Sequence, residues 1–362
     1  MNIKKIKLSN FRNYESTELE LSPNINIVYG DNAQGKTNLL EAIYIASIGK
    51  SYRADKENEV VKFKETFARI NLEYEKNEKL KTIDFYIDNN NKKQIKHGET
   101  VVRSSDHIGE INVVIFSPDS MNIIKGSPSK RRKFLDILIC QISKTYLYNL
   151  QQYNKIIKLK NAVLKNDFDK IDNTYLDILD EKLSEFAYLI VNDRTKMIEC
   201  IKEKAKKIHE NLTCKKENFD IEYISDYKNL KKEDILDSLK KQRKQDIMRK
   251  MSTKGPQKDD FEVYIDDKKV DVYGSQGQKR TSLLTLKLSE FEVLMDKKEE
   301  RPILLLDDVL SELDNSRIIY LLEYIQNYQT IITTTEIDII KKIKNANLFN
   351  VTKGKIKIEG VV

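Results

Sequence analysis

Gly30-Asp31-Asn32-Ala33-Gln34-Gly35-Lys36-Thr37 is the stretch that decides how this chain folds. An apolar segment, Asn24-Ile25-Asn26-Ile27-Val28-Tyr29, leads into it. Behind it, in residues 36–48, Leu39, Leu40, Ile43 and Ala46 recur at helical spacing. G-x-x-x-x-G-K-T between a buried strand and an amphipathic helix predicts a phosphate-binding turn. Its glycines let backbone N–H groups turn inward on phosphate oxygens, and the helix N-terminus adds a favourable dipole. Lys36 is expected to bridge the β- and γ-phosphates of ATP, and the Thr37 hydroxyl to bind Mg²⁺. Asn38 is included in the expected ATP-binding stretch.

A second element is Ile303-Leu304-Leu305-Leu306-Asp307-Asp308. A run of apolar residues suits a central parallel strand, which carries its terminal carboxylates to the ligand-binding edge of an open sheet. Asp307 is expected to hold Mg²⁺ and Asp308 to act as the base on the attacking water. Together with Lys36 they form the expected catalytic set. These residues alone do not choose among phosphate-loop enzymes. Ser275-Gln276-Gly277-Gln278, about 30 residues earlier and ahead of a helix expected at about 278–297, does so. It resembles the signature of ABC-type ATPases, in which Ser and Gly at a helix N-terminus bind the γ-phosphate held by the opposite subunit. Ser311-Glu312-Leu313-Asp314 resembles the D-loop of that class.

The 362 residues are 40% hydrophobic and 33% charged, with a net charge of +7. That is enough for two domains and fits a polyanionic partner, although a general lysine bias gives the same sum. Three scattered cysteines without a C-x-x-C pair argue against a disulfide framework or structural zinc. Met1-Asn2-Ile3-Lys4-Lys5-Ile6 lacks the apolar core of a signal peptide, and no apolar run reaches the ~20 residues that span a bilayer. A soluble, cytoplasmic protein with no membrane partner is expected.

Strands are expected at Ile3 to Leu8, at alternating Ala68, Ile70, Leu72 and Tyr74, at Ile83, Phe85 and Ile87, and at Ile111 to Phe116. From about 129 to 250 glycine and proline vanish, and Phe134, Leu135, Leu138, Ile142 and Tyr146 recur at helical spacing. A second such run, Leu176, Leu179, Leu183, Phe186 and Ile190, follows the capping candidate Asp172. Beyond Gly255-Pro256 the strand pattern returns at Phe261 to Ile265, at Thr330 to Thr333 and in a hairpin from Val351 to Ile358. The expected layout is an α/β ATPase head in two parts, 1–128 and 253–362, interrupted by a helical insert at 129–252.

Two half-sites separated by such an insert resemble the chromosome-maintenance and repair branch of ABC-type ATPases. Within it the chain resembles the RecF family. Phe11-Arg12-Asn13-Tyr14, the phosphate loop through Asn38, Phe116-Ser117-Pro118-Asp119, Lys125-Gly126-Ser127-Pro128 and Arg131-Arg132-Lys133-Phe134-Leu135-Asp136 carry the likeness. So do Gly274-Ser275-Gln276-Gly277-Gln278 and Ile332-Thr333-Thr334-Thr335. The resemblance implies an ABC-type, SMC-like head that forms an ATP-dependent homodimer on double-stranded DNA at single-strand gaps. It also implies work alongside RecO and RecR to load RecA, and a weak, DNA-stimulated ATPase. Arg12 is a candidate nucleotide contact, with a surface salt bridge as the alternative. Lys130, Arg131, Arg132 and Lys133 are candidate DNA contacts through phosphate. Thr335 stands where many ABC-type ATPases carry a switch histidine, and after Gly255-Pro256, where the family often has His then Arg, Lys258 keeps a basic residue but the imidazole is lost. Both departures imply slow turnover. A transporter ATPase subunit remains the alternative reading.

Overall fold

The computed structural model describes residues 1–166, 171–336, 343 and 345–361. The chain divides into two compact units, one of Met1–Met121 with Leu283–Val362, the other of Asn122–Ser282.

The first unit is built on two six-stranded sheets. In one, Ile25–Tyr29 lies between Ala346–Thr352 and Thr330–Thr334, parallel to both. Ile303–Asp307 runs parallel to Thr330–Thr334 on its far side, and Val113–Phe116 follows. The antiparallel hairpin strand Lys355–Val361 closes the other edge. Every residue of Ile303–Asp307 is buried, as expected of an interior parallel strand. The second sheet is an antiparallel meander that includes Asn2–Phe11, Tyr14–Glu20, Phe67–Lys76 and Lys79–Asp88.

The helix Lys36–Ile48 forms as the spacing predicts, but its apolar stripe is not its only buried face. Every residue from Leu39 to Ile48 is buried. The cause is its position: it packs against strands of both sheets, so no side is left for water.

The second unit holds the helices Pro128–Ile142, Lys144–Val163, Asn173–Thr213 and Lys232–Arg249. Asp172 caps the 41-residue helix, accepting from the Tyr175 N–H at 3.1 Å. The unit is not purely helical. Phe219–Ile224 is a strand pairing antiparallel with Asp260–Ile265. Its buried Phe219, Ile221 and Tyr223 alternate with partly or fully exposed residues, a period-2 signal hidden inside a segment without glycine or proline punctuation. Fully buried ions brace the helices. Lys160 Nζ lies 2.9 Å from Asp180 and 3.1 Å from Asp246. Arg194 pairs with Asp136 at 2.9 Å and donates to the Pro256 carbonyl at 2.8 Å.

Candidate functional site

Parallel pairing brings the chemistry-bearing residues of the first unit to one sheet edge. Asp307 lies opposite Thr333, and Thr334 lies opposite Tyr29, the residue before the phosphate loop. The loop itself runs over Gly30 (φ 145°), Ala33 (φ 63°) and Gly35 (φ 120°). At Gly30 an added Cβ would sit 2.4 Å from the Val351 carbonyl oxygen, so only glycine fits. Asp31, Asn32 and Ala33 are exposed at its tip.

Lys36 is buried, and its ammonium donates to the carbonyls of Gly30 at 2.6 Å and Asp31 at 2.7 Å. Burial lowers its pKa below the ordinary lysine value, opposed by the carboxylates of Asp308, Asp31 and Asp307. Thr37 Oγ1 donates to Asp307 Oδ1 at 2.7 Å, joining the two motifs directly. Thr333 Oγ1 donates to the same oxygen at 2.8 Å, and the Tyr52 hydroxyl reaches Asp307 Oδ2 at 3.3 Å. Burial, then the Asp307 charge, pushes the Tyr52 pKa far up, so its hydroxyl stays a donor.

Asp308 follows in a left-handed conformation (φ 55°). Its N–H is shared between the Thr333 carbonyl at 3.2 Å and Thr333 Oγ1 at 3.0 Å. That twist separates the two acids: Asp307 is buried, whereas Asp308 is half-buried. Thr335 is exposed just past the strand end. Ser311 Oγ donates to the Asp308 carbonyl at 2.8 Å, and Asp314 caps the helix Asn315–Ile325, accepting from the Arg317 N–H at 3.0 Å. Thr333 and Tyr52 are site residues that motif reading passed over. The Thr-Thr-Thr run offered a signal for the first, and nothing in the sequence marks the second.

Arg12 is held by an acid. Its Nε and Nη2 grip both oxygens of the fully buried Glu41 at 2.9 and 2.8 Å, and its Nη1 donates to the Glu59 carbonyl at 2.7 Å. This bidentate pair ties the first strand to the loop's helix. Asn38 donates to Asn13 Oδ1 at 2.9 Å and accepts from Arg53 at 3.2 Å.

In the second unit, Ser275 and Gln278 form a reciprocal cap at the start of the helix Gln276–Lys298. Ser275 Oγ accepts from the Gln278 N–H at 3.1 Å, and Gln278 Oε1 accepts from the Ser275 N–H at 2.9 Å. Gln276 accepts from Lys125 at 2.7 Å. The Gln278 amide also donates to Glu217 at 3.0 Å, whose other oxygen lies 3.2 Å from the buried His209 ring. Ser275, Gln276 and Gly277 are exposed. Of the basic candidates, Lys130 and Lys133 are exposed. Arg131 is buried in a bidentate pair with Asp260 at 2.6 and 2.7 Å, and Arg132 donates to the Asp259 carbonyl at 2.6 Å. The DNA-contact expectation is therefore weakest for Arg131, whose guanidinium is already committed to Asp260.

A glycine-rich loop joined to an aspartate at the end of a parallel strand marks a phosphate-loop head, and Ser275 to Gln278 at a helix start with the mainly helical insert narrows the class to an α/β ATPase head of ABC type. A family model described as "RecF/RecN/SMC N terminal domain" matches residues 2–358. The DNA replication and repair protein RecF of Clostridium botulinum (strain ATCC 19397 / Type A) is 45% identical over 99% of this chain and 100% of its own length. Its counterpart in Clostridium tetani is 43% identical over 98% and 99%. The chain belongs to the RecF family of DNA replication and repair proteins. Among solved structures, the recombination mediator protein RecF-ATP of the RecFOR pathway superposes with a TM-score of 0.93 at 36% identity, covering 99% of this chain and 98% of that one. An SMC head bound to the C-winged helix domain of ScpA shares the fold alone, with a TM-score of 0.59 at 16% identity over 100% and 98%. Among the described residues no helix is long and apolar enough to cross a membrane.

Proposed function

We propose that this chain is an ATP-switched clamp on double-stranded DNA. ATP seats on the loop of residues 30–37, with Lys36 on its β- and γ-phosphates and the first turn through Asn38 beneath it, while Arg12, its guanidinium taken by Glu41 and the Glu59 carbonyl, holds the helix of the loop rather than the nucleotide. Mg²⁺ fits beside it: a hydroxyl and a carboxylate, Thr37 Oγ1 and Asp307 Oδ1, already converge at 2.7 Å, and hard oxygen donors are what Mg²⁺ takes. Asp308 polarises the attacking water. Ser275, Gln276, Gly277 and Gln278 of a second copy cover the γ-phosphate, with Ser311, Asp314 and Thr335 along the seam. The 2.7 Å join between phosphate loop and Asp307 carries this reading more than any other observation.

Nucleotide then glues two heads together, the dimer grips duplex DNA at single-strand gaps, and slow hydrolysis releases it. Because nucleotide and DNA both favour the dimer, each favours the other. Lys130 and Lys133 supply exposed charge for phosphate contact without sequence reading. In this reading the protein acts in the cytoplasm at the nucleoid, with RecO and RecR, to promote RecA loading, and DNA stimulates its weak ATPase. The nucleotide-binding body is Met1–Met121 with Leu283–Val362, and Asn122–Ser282, which carries Ser275 to Gln278, is the insert, wider at both ends than the 129–252 expected from texture. Sedimentation with ATP, ADP and no nucleotide tests the switch. Wild-type protein should dimerise with ATP alone, and Lys36→Met should remain monomeric. A dimer formed equally in all three conditions would refute it.

A further inference from the structure

The phosphate loop is gripped from outside by residues that neither the phosphate-loop motif nor the aspartate strand includes. Asn13 lies in the tight turn between the strands Asn2–Phe11 and Tyr14–Glu20. Its side chain donates to the Gln34 carbonyl at 2.7 Å and accepts from Asn38 at 2.9 Å. The same Gln34 carbonyl accepts from the Gly354 N–H at 3.1 Å. The neighbouring Lys353 N–H donates to the Gln34 side chain at 2.6 Å. One residue along, the Gly35 carbonyl accepts from the buried Tyr14 hydroxyl at 3.0 Å and from the Leu39 N–H at 3.2 Å. Two turns remote in sequence therefore converge on one peptide of the loop.

A trans peptide is planar, so its N–H points away from its carbonyl, and the chain has no cis bond among the described residues. Donors that hold the Gln34 and Gly35 carbonyls outward fix the Gly35 and Lys36 N–H groups inward. Those inward groups are the ones a phosphate-binding nest needs. The contact is also close-fitting. A Cβ added at Gly35 would lie 2.6 Å from Asn13 Nδ2, and one at Gly354 would lie 2.6 Å from the Asn13 carbonyl oxygen. Gly354 further adopts φ 71°, which a side chain disfavours.

We infer that Asn13 and Gly354 are positioning residues of the nucleotide site, which set the inward orientation of the loop N–H groups by holding its carbonyls from behind. The inference rests on the ATP-binding reading above. It makes the hairpin turn at Lys353 and Gly354, over 300 residues from the loop in sequence, part of the site.

The test is steady-state ATP hydrolysis and titration of a fluorescent N-methylanthraniloyl ATP, on the full chain, for wild type, Asn13→Gly, Gly354→Ala and the double variant. Asn13→Gly keeps the turn accessible while removing the donor. Each single variant should raise KM and Kd about tenfold and leave kcat within about twofold. The two share one carbonyl, so the double variant should fall well short of the product of the singles. A merely structural role would lower the folded, active fraction, reducing kcat with KM unchanged, and would overturn the inference. So would wild-type affinity in both single variants. If wild-type protein itself bound no nucleotide, the ATP reading and this one would fall together. Wild-type binding with unaltered variants removes only this one.

Discussion

The two helix N-termini assigned to phosphate in the proposed function are finished differently. The helix Lys36–Ile48 begins at Gly35 with no side-chain cap and no acid in its first turn. Its backbone N–H groups carry no side-chain cap, the carbonyls around them are held by Asn13, Tyr14 and Gly354, and only the Lys36 ammonium, on the Gly30 and Asp31 carbonyls, has partners to exchange for phosphate. The helix Gln276–Lys298 also lacks an acid in its first turn, but Ser275 and Gln278 cap each other. A helix start leaves several N–H groups without partners, and anything that binds there competes with whatever already occupies them. The first site is therefore preorganised for phosphate. The second is self-satisfied and must exchange its cap for a ligand, as suits a surface that acts only when a partner brings the phosphate.

That contrast breaks most sharply at Lys36. Removing its charge with Lys36→Met should cut ATP affinity by about 100-fold or more, since charge-assisted contacts to phosphate are among the strongest a site makes. The fold should survive, because the lost contacts are only to the Gly30 and Asp31 carbonyls. Isothermal titration with ATP and a thermal melt give both readings. Affinity retained within a few-fold would mean the loop's N–H groups do the binding alone. Asp308→Asn should next lower kcat by a factor of ten or more while ATP affinity holds. It should also prolong the ATP-bound dimer in a dissociation assay. Faster dissociation would remove Asp308 from the base role.

The same contrast explains what was legible in the sequence. The loop, the Asp307 strand and their shared sheet edge were readable because each is a local pattern with a fixed backbone consequence: glycines at positive φ, an apolar run with terminal acids. Thr333 on Asp307, Asn13 on Gln34 and Tyr52 on Asp307 were not, because they join segments tens to hundreds of residues apart and any polar side chain could have stood there. Burial also reversed a charge-based expectation. Arg131 looked like its neighbours Lys130 and Lys133 until Asp260, over a hundred residues away, was seen to claim it. The strand Phe219–Ile224 was missed although its alternation is visible, since the flanking helical texture carried no glycine or proline to mark the change.

The signature half sharpens the comparison at a smaller scale. Ser275→Ala removes an N-cap, which costs about 1 kcal/mol of local helix stability, and leaves the phosphate loop untouched. ATP affinity of the monomer should stay within about twofold, while ATP-dependent dimerisation weakens about tenfold in sedimentation. Equal loss of both would mean the two half-sites are not separable.

The smallest effect is a pH dependence, and it also distinguishes the halves. Burial depresses the Lys36 pKa below the ordinary lysine value of 10.5. In the empty protein the folded state therefore releases this proton at lower pH than the unfolded chain does. Stability contributed by this group rises as pH climbs through that window, because the unfolded state binds more protons there. Nucleotide binding runs the opposite way: phosphate prefers the ammonium, so ATP affinity should fall by a few-fold as pH rises through the depressed pKa, beginning below 10.5. Titrations from neutral to alkaline pH should show that decline in wild type and not in Lys36→Met. The signature half offers Ser and Gln in place of a lysine, so Ser275→Ala should leave the slope unchanged. A slope that survives in Lys36→Met would assign the titration to another group and leave the loop's selectivity for phosphate to its backbone.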